Sequence, residues 1–207
     1  MQIIDQSWEW LQKPSKILET VELAGRTCYK SEKRITEGSA EKFVKMILDL
    51  GHETVIEHVS ASIRFITNRG VTHELVRHRL ASYSQESTRY IRYNDQLVFI
   101  RPIWWSDVEY SDEQKKHWQT SMEQAERAYL DALQKGDKPE QAREMLPNAT
   151  KTEIVVTTNL REWRHIFDLR CAKPAHPQIR ALMLDCLQGF AKEIPIVFDE
   201  LLQKYSE

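Results

Sequence analysis

The densest group of chemically capable side chains lies between Arg77 and Tyr90, in RHRLASYSQESTRY. Arg77, His78, Arg79 and Arg89 are cationic or can become so, and Ser82, Ser84, Ser87 and Thr88 add hydroxyls. Guanidinium forks match phosphate geometry, and hydroxyls with loop N–H groups complete a cradle for a phosphate or a pyrimidine edge. A solvated basic turn has the same composition, so both accounts stand. A second cluster, GHETVIEH from Gly51 to His58, holds two histidines and two glutamates. Together with His73 and His78 it places four of the seven histidines close in sequence. Its spacing fits no HExxH helix and brings no cysteine, so capping or hydrogen-bonding histidines compete with metal ligation. The third cluster is NLREWRHIFDLR, Asn159 to Arg170. On a helix, Arg161 and His165 lie about 40° apart, whereas Arg170 falls about 180° from Arg161, on the side of Trp163. One helix would then address two places, as sites formed between subunits require, although a plain amphipathic helix with scattered arginines gives the same pattern.

These clusters sit in a chain of 207 residues with 29 Lys and Arg against 31 Asp and Glu, a net charge of −2. A polycation built to coat nucleic acid or an anionic membrane is excluded, so any anion site must be local. Cys28, Cys171 and Cys186 are an odd, scattered set, which reads as free thiols in a reducing compartment. No apolar run reaches membrane-spanning length, and the start MQIIDQSWEWLQ lacks the basic and apolar regions of a signal peptide. The expected location is the cytoplasm, with neither membrane nor nucleic acid as partner. No repeat, linker or low-complexity tract marks a boundary, so one domain over residues 1–207 is expected.

The elements that must carry the clusters follow from periodicity and caps. Apolar spacing predicts a helix from Ser15, as N-cap, to Lys30, and another from Ser39 to Leu50 stopped by Gly51. Alternation predicts a half-buried strand over His58 to Thr67, a short helix capped by Thr72, a loop from Ser82 to Thr88 and a strand from Tyr90 to Ile100. Ser111 with Gln114 forms a capping box for a long helix ending near Gly136, and a shorter helix follows Pro139. Glu153 to Thr158 is strand-like, Asn159 caps the helix Leu160 to Arg170, and the tail from Pro177 is helical with a break at Pro195. Long helices with a few strands predict an α+β domain with a mostly antiparallel sheet packed by long helices.

The run Arg77-His78-Arg79, followed by Ser82, Ser87, Arg89 and Tyr90, closely resembles the RHRxxSxxxxSxRY signature of the flavin-dependent thymidylate synthases. GHET with Glu57-His58, AGRTCYKS from Ala24 to Ser31, Arg143 with Leu146-Pro147, and Asn159 to Arg170 resemble that family's other landmarks in order. The resemblance implies an enzyme making dTMP from dUMP, with methylenetetrahydrofolate as one-carbon donor and FAD, reduced by NADPH, as hydride carrier. It further implies a homotetramer with sites shared between subunits, and no metal. On this basis Arg77, His78 and Arg79 contact FAD, with His52, Thr54, Gln85, Asn159, Arg161 and His165 completing the flavin site. The same basis gives Glu74, Arg77, Gln85, Glu86, Ser87, Thr88, Arg89, Arg143 and Arg170 to dUMP.

Arg170 is the expected catalytic side chain, because a permanently charged guanidinium beside the pyrimidine N3 and its carbonyl would stabilise charge developing on the ring. Ser87 has no evident His–Asp pair and reads as a hydrogen-bonding residue rather than a nucleophile. Cys171, adjacent to Arg170, would point about 100° away on a helix, and nothing marks its thiol as activated. Gln85 stands where many relatives carry glutamate, His165 where some carry asparagine, and Glu86 brings a carboxylate towards an anion site at a position that varies among relatives. Three other functions compete: a nucleic-acid module built on the basic segment, a metal-dependent phosphohydrolase, and a nucleotide-binding subunit without catalysis.

Overall fold

A computed structural model describes residues 1–206. In chain order the elements are β1 (Gln2–Ile4), β2 (Ser7–Gln12), α1 (Ile17–Cys28), α2 (Ser39–Asp49), β3 (Ser60–Asn68), α3 (Arg69–Leu75) and β4 (Ser82–Gln85). There follow β5 (Val98–Ile100), α4 (Asp112–Gln134), α5 (Pro139–Ala142), β6 (Lys151–Asn159), α6 (Leu160–Arg170), α7 (Pro177–Glu193) and α8 (Pro195–Tyr205). One sheet has the order β2-β3-β6-β4, and β1 pairs parallel with β5 in a second, with Gln2 opposite Val98. The four-stranded sheet is antiparallel: Leu160 N–H bonds the Val59 carbonyl at 2.9 Å, Arg69 N–H the Thr150 carbonyl at 3.2 Å, and Glu86 N–H the Glu153 carbonyl at 2.9 Å. The expected α+β class holds.

Local chemistry explains most boundaries. Asn159 accepts the Glu162 N–H at 2.9 Å and starts α6 as expected, and Ser111 and Gln114 close their capping box on α4. Gly51 follows α2 with φ of 73°, a left-handed conformation that an L side chain resists. Two caps differ from expectation. α1 begins after Lys16, itself left-handed with φ of 50° and no side-chain cap bond, rather than after Ser15. α3 is capped by Asn68, whose Oδ1 accepts Val71 N–H at 2.9 Å, while the Thr72 hydroxyl lies inside the helix and donates to the Arg69 carbonyl. Four strands also differ. β1 and β2 were not anticipated, β4 falls in the polar run expected to be a loop, and the strand expected from Tyr90 shrinks to β5, Val98–Ile100.

Two compact units are present among the described residues, the first formed by Met1–Glu9, Arg64–Arg77 and Tyr83–Val155, the second by Trp10–Ile63, His78–Ser82 and the described residues from Val156 on. The core of the first gathers Leu97, Phe99, Met122, Tyr129, Leu133 and Ala142, so α4 buries one stripe against β5 and α5. In the second, the rings of Trp163, Phe167, Phe190 and Phe198 interlock at centroid distances of 5.0 to 5.9 Å. Trp163 also donates its indole N–H to the Ala61 carbonyl at 3.2 Å. That bond and the ring cluster fix the rotation of α6, and hence which of its polar side chains face away from the core. Among the described residues no helix is long and apolar enough to cross a membrane.

Candidate functional site

α6 carries the polar centre of the second unit. Trp163, Ile166 and Phe167 are buried in the aromatic core, which turns Glu162, His165 and Arg170 towards His78. Arg170 donates from Nε to His78 Nε2 at 3.0 Å. That nitrogen must be unprotonated to accept, which assigns the imidazole proton to Nδ1, the atom 3.8 Å from Glu162 Oε1. The His165 ring stands edge-on to His78, centroids 5.8 Å apart. Burial, then the Arg170 charge, then His165, push the His78 pKa down to about 4, so this imidazole is neutral at physiological pH. Burial likewise raises the Glu162 carboxyl, opposed by His165. The two-sided helix expected from angular spacing is thus modified: His78, coming from outside the helix, joins Arg170 to the Glu162 and His165 side.

An open cavity of about 750 Å³ lies along this face, lined by Leu80, Asn159, Arg161, Glu162 and His165, with Glu53, Glu57 and Asp168 around them. Arg161 pairs with Glu57 at 2.5 Å and Glu53 at 3.7 Å and stays half exposed. Arg164 serves architecture instead, bonding Glu53, the Val197 carbonyl and Glu200. Asp168 accepts from Lys204 at 2.6 Å and from the Tyr205 hydroxyl at 2.5 Å, and Lys204 foremost holds its carboxyl below the usual range. Leu80 is 75% exposed beside these charges, an apolar surface that a planar ring would cover. His52, Thr54 and Arg79 are exposed in the same unit.

The first unit holds the other set. Gln85 donates from Nε2 to Thr72 Oγ1 at 2.9 Å and to Thr152 Oγ1 at 3.2 Å, so neighbouring hydroxyls fix its amide. Glu86 faces the opposite side of the strand and is bound by the Tyr93 hydroxyl and Lys151 Nζ. After it the chain turns, with Tyr90 and Ile91 N–H groups bonding the Ser87 carbonyl. The Ser87 Oγ accepts Arg89 N–H at 3.4 Å, a local turn bond and not a nucleophile–base pair. Thr88 is buried, Arg89 is exposed over the Tyr90 ring at 5.4 Å, and Arg77 and Arg143 are exposed. Glu74 is half-buried on α3.

The expected sets therefore separate by unit. Apart from Arg170, the residues matched to dUMP belong to the first unit, and apart from Arg77 and Gln85, those matched to flavin belong to the second. Sequence reasoning placed Glu53 in the GHETVIEH cluster but gave no flavin or dUMP role to Glu53, Glu162 or Asp168; the i, i+3 spacing of Glu162 and His165 on a capped helix was the available signal. Cys171 is buried and its thiol is pushed up to about 12 by burial, which disfavours the thiolate. His78, Glu162 and His165 present donor atoms within 4.8 Å of one another. A dication there would meet the Arg170 charge, and a metal on His78 Nδ1 would move the ring proton to Nε2, where Arg170 already donates.

The family model described as thymidylate synthase complementing protein matches residues 11–196. The flavin-dependent thymidylate synthase of Mycobacterium avium (strain 104) is 38% identical over 193 residues, covering 86% of this chain and 77% of that relative. That of Mycobacterium tuberculosis (strain CDC 1551 / Oshkosh) is 39% identical over 198 residues, with the same coverage. Among solved structures, a UMP/dUMP methylase PolB from Streptomyces cacaoi, bound with 5-Br dUMP, shares the fold with a TM-score of 0.83 at 23% identity, covering 99% of this chain and 98% of that one. The chain belongs to the thymidylate synthase complementing protein family, that of the flavin-dependent thymidylate synthases, and is an enzyme of that class.

Proposed function

We propose that this chain converts dUMP to dTMP with FAD as its bound flavin, NADPH as reductant and methylenetetrahydrofolate as one-carbon donor. The observation that carries the reading is Arg170, fixed through Nε to a neutral, buried His78. The donor set suits a flavin dinucleotide. The cavity of about 750 Å³ is of ligand size, Leu80 offers an apolar face, and Arg161, half exposed, can turn from Glu57 to a diphosphate. His52, Thr54, Arg77, His78, Arg79, Gln85, Asn159, Arg161 and His165 would hold it. Bound FAD would supply a hydride, chemistry that no protein side chain provides.

The chain's own residues bind and polarise the pyrimidine. Ser87, Thr88, Arg89 and Arg143 would receive the phosphate, and Glu74, Arg77 and Gln85 the nucleoside. Arg170 would stabilise negative charge spreading over N3 and its carbonyl as C5 becomes nucleophilic, and it gives up no proton in doing so. His78 contributes by staying neutral: a protonated imidazole could not accept from Arg170, and its charge would repel the guanidinium. Residues 1–207 act as one functional domain, in a homotetramer whose sites are shared between subunits, in the cytoplasm. The test is the visible spectrum of the purified protein with and without dUMP. A flavin band that bleaches with NADPH and shifts on dUMP addition is expected, and a colourless protein that fails to take up added FAD would overturn the reading.

A further inference from the structure

The segment Ser87–Arg89, read above as the dUMP-binding turn, is preceded by a carboxylate that should oppose an anion. The structure accounts for Glu86 through its partners. Its side chain is 11% exposed and both oxygens are engaged, Oε1 by the Tyr93 hydroxyl at 2.5 Å and Oε2 by Lys151 Nζ at 3.1 Å. Lys151 also bonds Glu153 at 2.5 Å, Glu153 bonds Arg64, and Arg64 bonds Glu9 at 2.6 Å. This alternating series runs from the residue after β4 over β6, β3 and β2, through residues of the first unit, so the Glu86 charge is spread into a compensated row. Tyr93 is itself anchored, since its N–H donates to the Tyr129 hydroxyl at 3.3 Å and Tyr129 is buried on α4. Burial and the Glu86 carboxylate hold the Tyr93 phenol above its ordinary range, so it remains a donor at working pH.

The Glu86–Tyr93 bond spans seven positions and closes the chain on both sides of Ser87–Arg89. The Glu86 N–H continues the ladder to the Glu153 carbonyl on one side, and Tyr90 and Ile91 N–H groups pin the turn from within. We propose that Glu86, Tyr93 and Lys151 are positioning residues that hold the Ser87–Arg89 turn in the shape that receives the dUMP phosphate. The inference rests on the reading that this turn binds dUMP. A closure of this kind acts on affinity, because a turn that must be ordered on binding takes the ordering entropy out of the binding free energy. It leaves the reacting atoms untouched, so turnover at saturating dUMP should change little.

The test uses the flavin-loaded protein and follows the flavin absorbance as dUMP, and separately deoxyuridine, is titrated. Tyr93→Phe keeps the ring and removes the hydroxyl, and loss of this bond to a charged partner is expected to weaken dUMP binding about tenfold. Deoxyuridine, which has no phosphate, should bind both proteins alike, and turnover at saturating dUMP should stay within about twofold. Lys151→Met should reproduce the effect and Lys151→Arg should largely rescue it, which separates positioning from misfolding. Unchanged dUMP affinity in both Tyr93→Phe and Lys151→Met, with the wild type responding normally, would overturn the proposal while leaving the dUMP reading intact. A wild-type protein with no saturable response to dUMP would overturn both.

Discussion

Replacing Arg170 by lysine keeps the positive charge and removes the geometry. The arginine donates from Nε to His78 Nε2 at 3.0 Å, so the guanidinium plane is set before any substrate arrives. Lysine has no Nε. Its single ammonium can bond the imidazole or the pyrimidine but cannot present a fork to one while anchored to the other. The lost quantity is therefore a pre-organised charged donor, for which removal costs about 2.7–4 kcal/mol of transition-state stabilisation, or roughly 10²–10³-fold in turnover. Arg170→Lys should purify with wild-type flavin content, because Arg170 is not among the residues matched to flavin. Rapid-quench measurement of dTMP formation at saturating dUMP and folate gives the comparison. Turnover within about tenfold of wild type would mean that a positive charge alone suffices, and the geometric argument would fail.

Acid should destabilise the fold through His78, whose pKa falls from an ordinary 6.5 to about 4 on folding. Between those values the unfolded chain holds the extra proton, so stability is constant above about pH 6.5 and declines towards pH 4, by about 3 kcal/mol in all. Urea midpoints across that interval, compared with His78→Gln, should show a flatter acid limb in the variant. Phe190→Ala removes a ring that touches Trp10, Trp163, Phe167 and Phe198, and should lower unfolding stability by about 3–5 kcal/mol without changing the m-value.

Local signals were legible where one element satisfies itself. Asn159 and the spacing of Leu160, Trp163, Ile166 and Phe167 defined α6, and the Ser111–Gln114 box defined the start of α4. β4 was invisible for a physical reason. SYSQ is an edge strand of small and polar side chains, and its pairing depends on β6, far along the chain. In β2, Trp8 and Trp10 alternate with polar residues, which is the period of a half-buried strand. Thr72 has the residue type of a cap, yet Asn68 takes the role with a longer, unbranched side chain whose Oδ1 reaches the Val71 N–H at the actual turn.

The site was legible as a set of residues and illegible as a set of contacts. Arg170 and His78 are 92 positions apart, and Lys151 and Glu86 are 65 apart, so no helical or strand periodicity relates either pair. Those two contacts nonetheless carry the proposed roles of Arg170 and of the Ser87–Arg89 turn. A histidine in an RHR triplet could be cationic and bind an anion directly. Burial beside Arg170 makes it a neutral acceptor, which turns the question from what His78 binds to what it orients. A glutamate beside the turn proposed to receive a phosphate reads as a defect until Lys151 and Tyr93 are found on its two oxygens. In each case a side chain whose type argued against its position is reconciled by partners that include one far along the chain. The partner, more than the motif residue, is where substitution should separate binding from turnover.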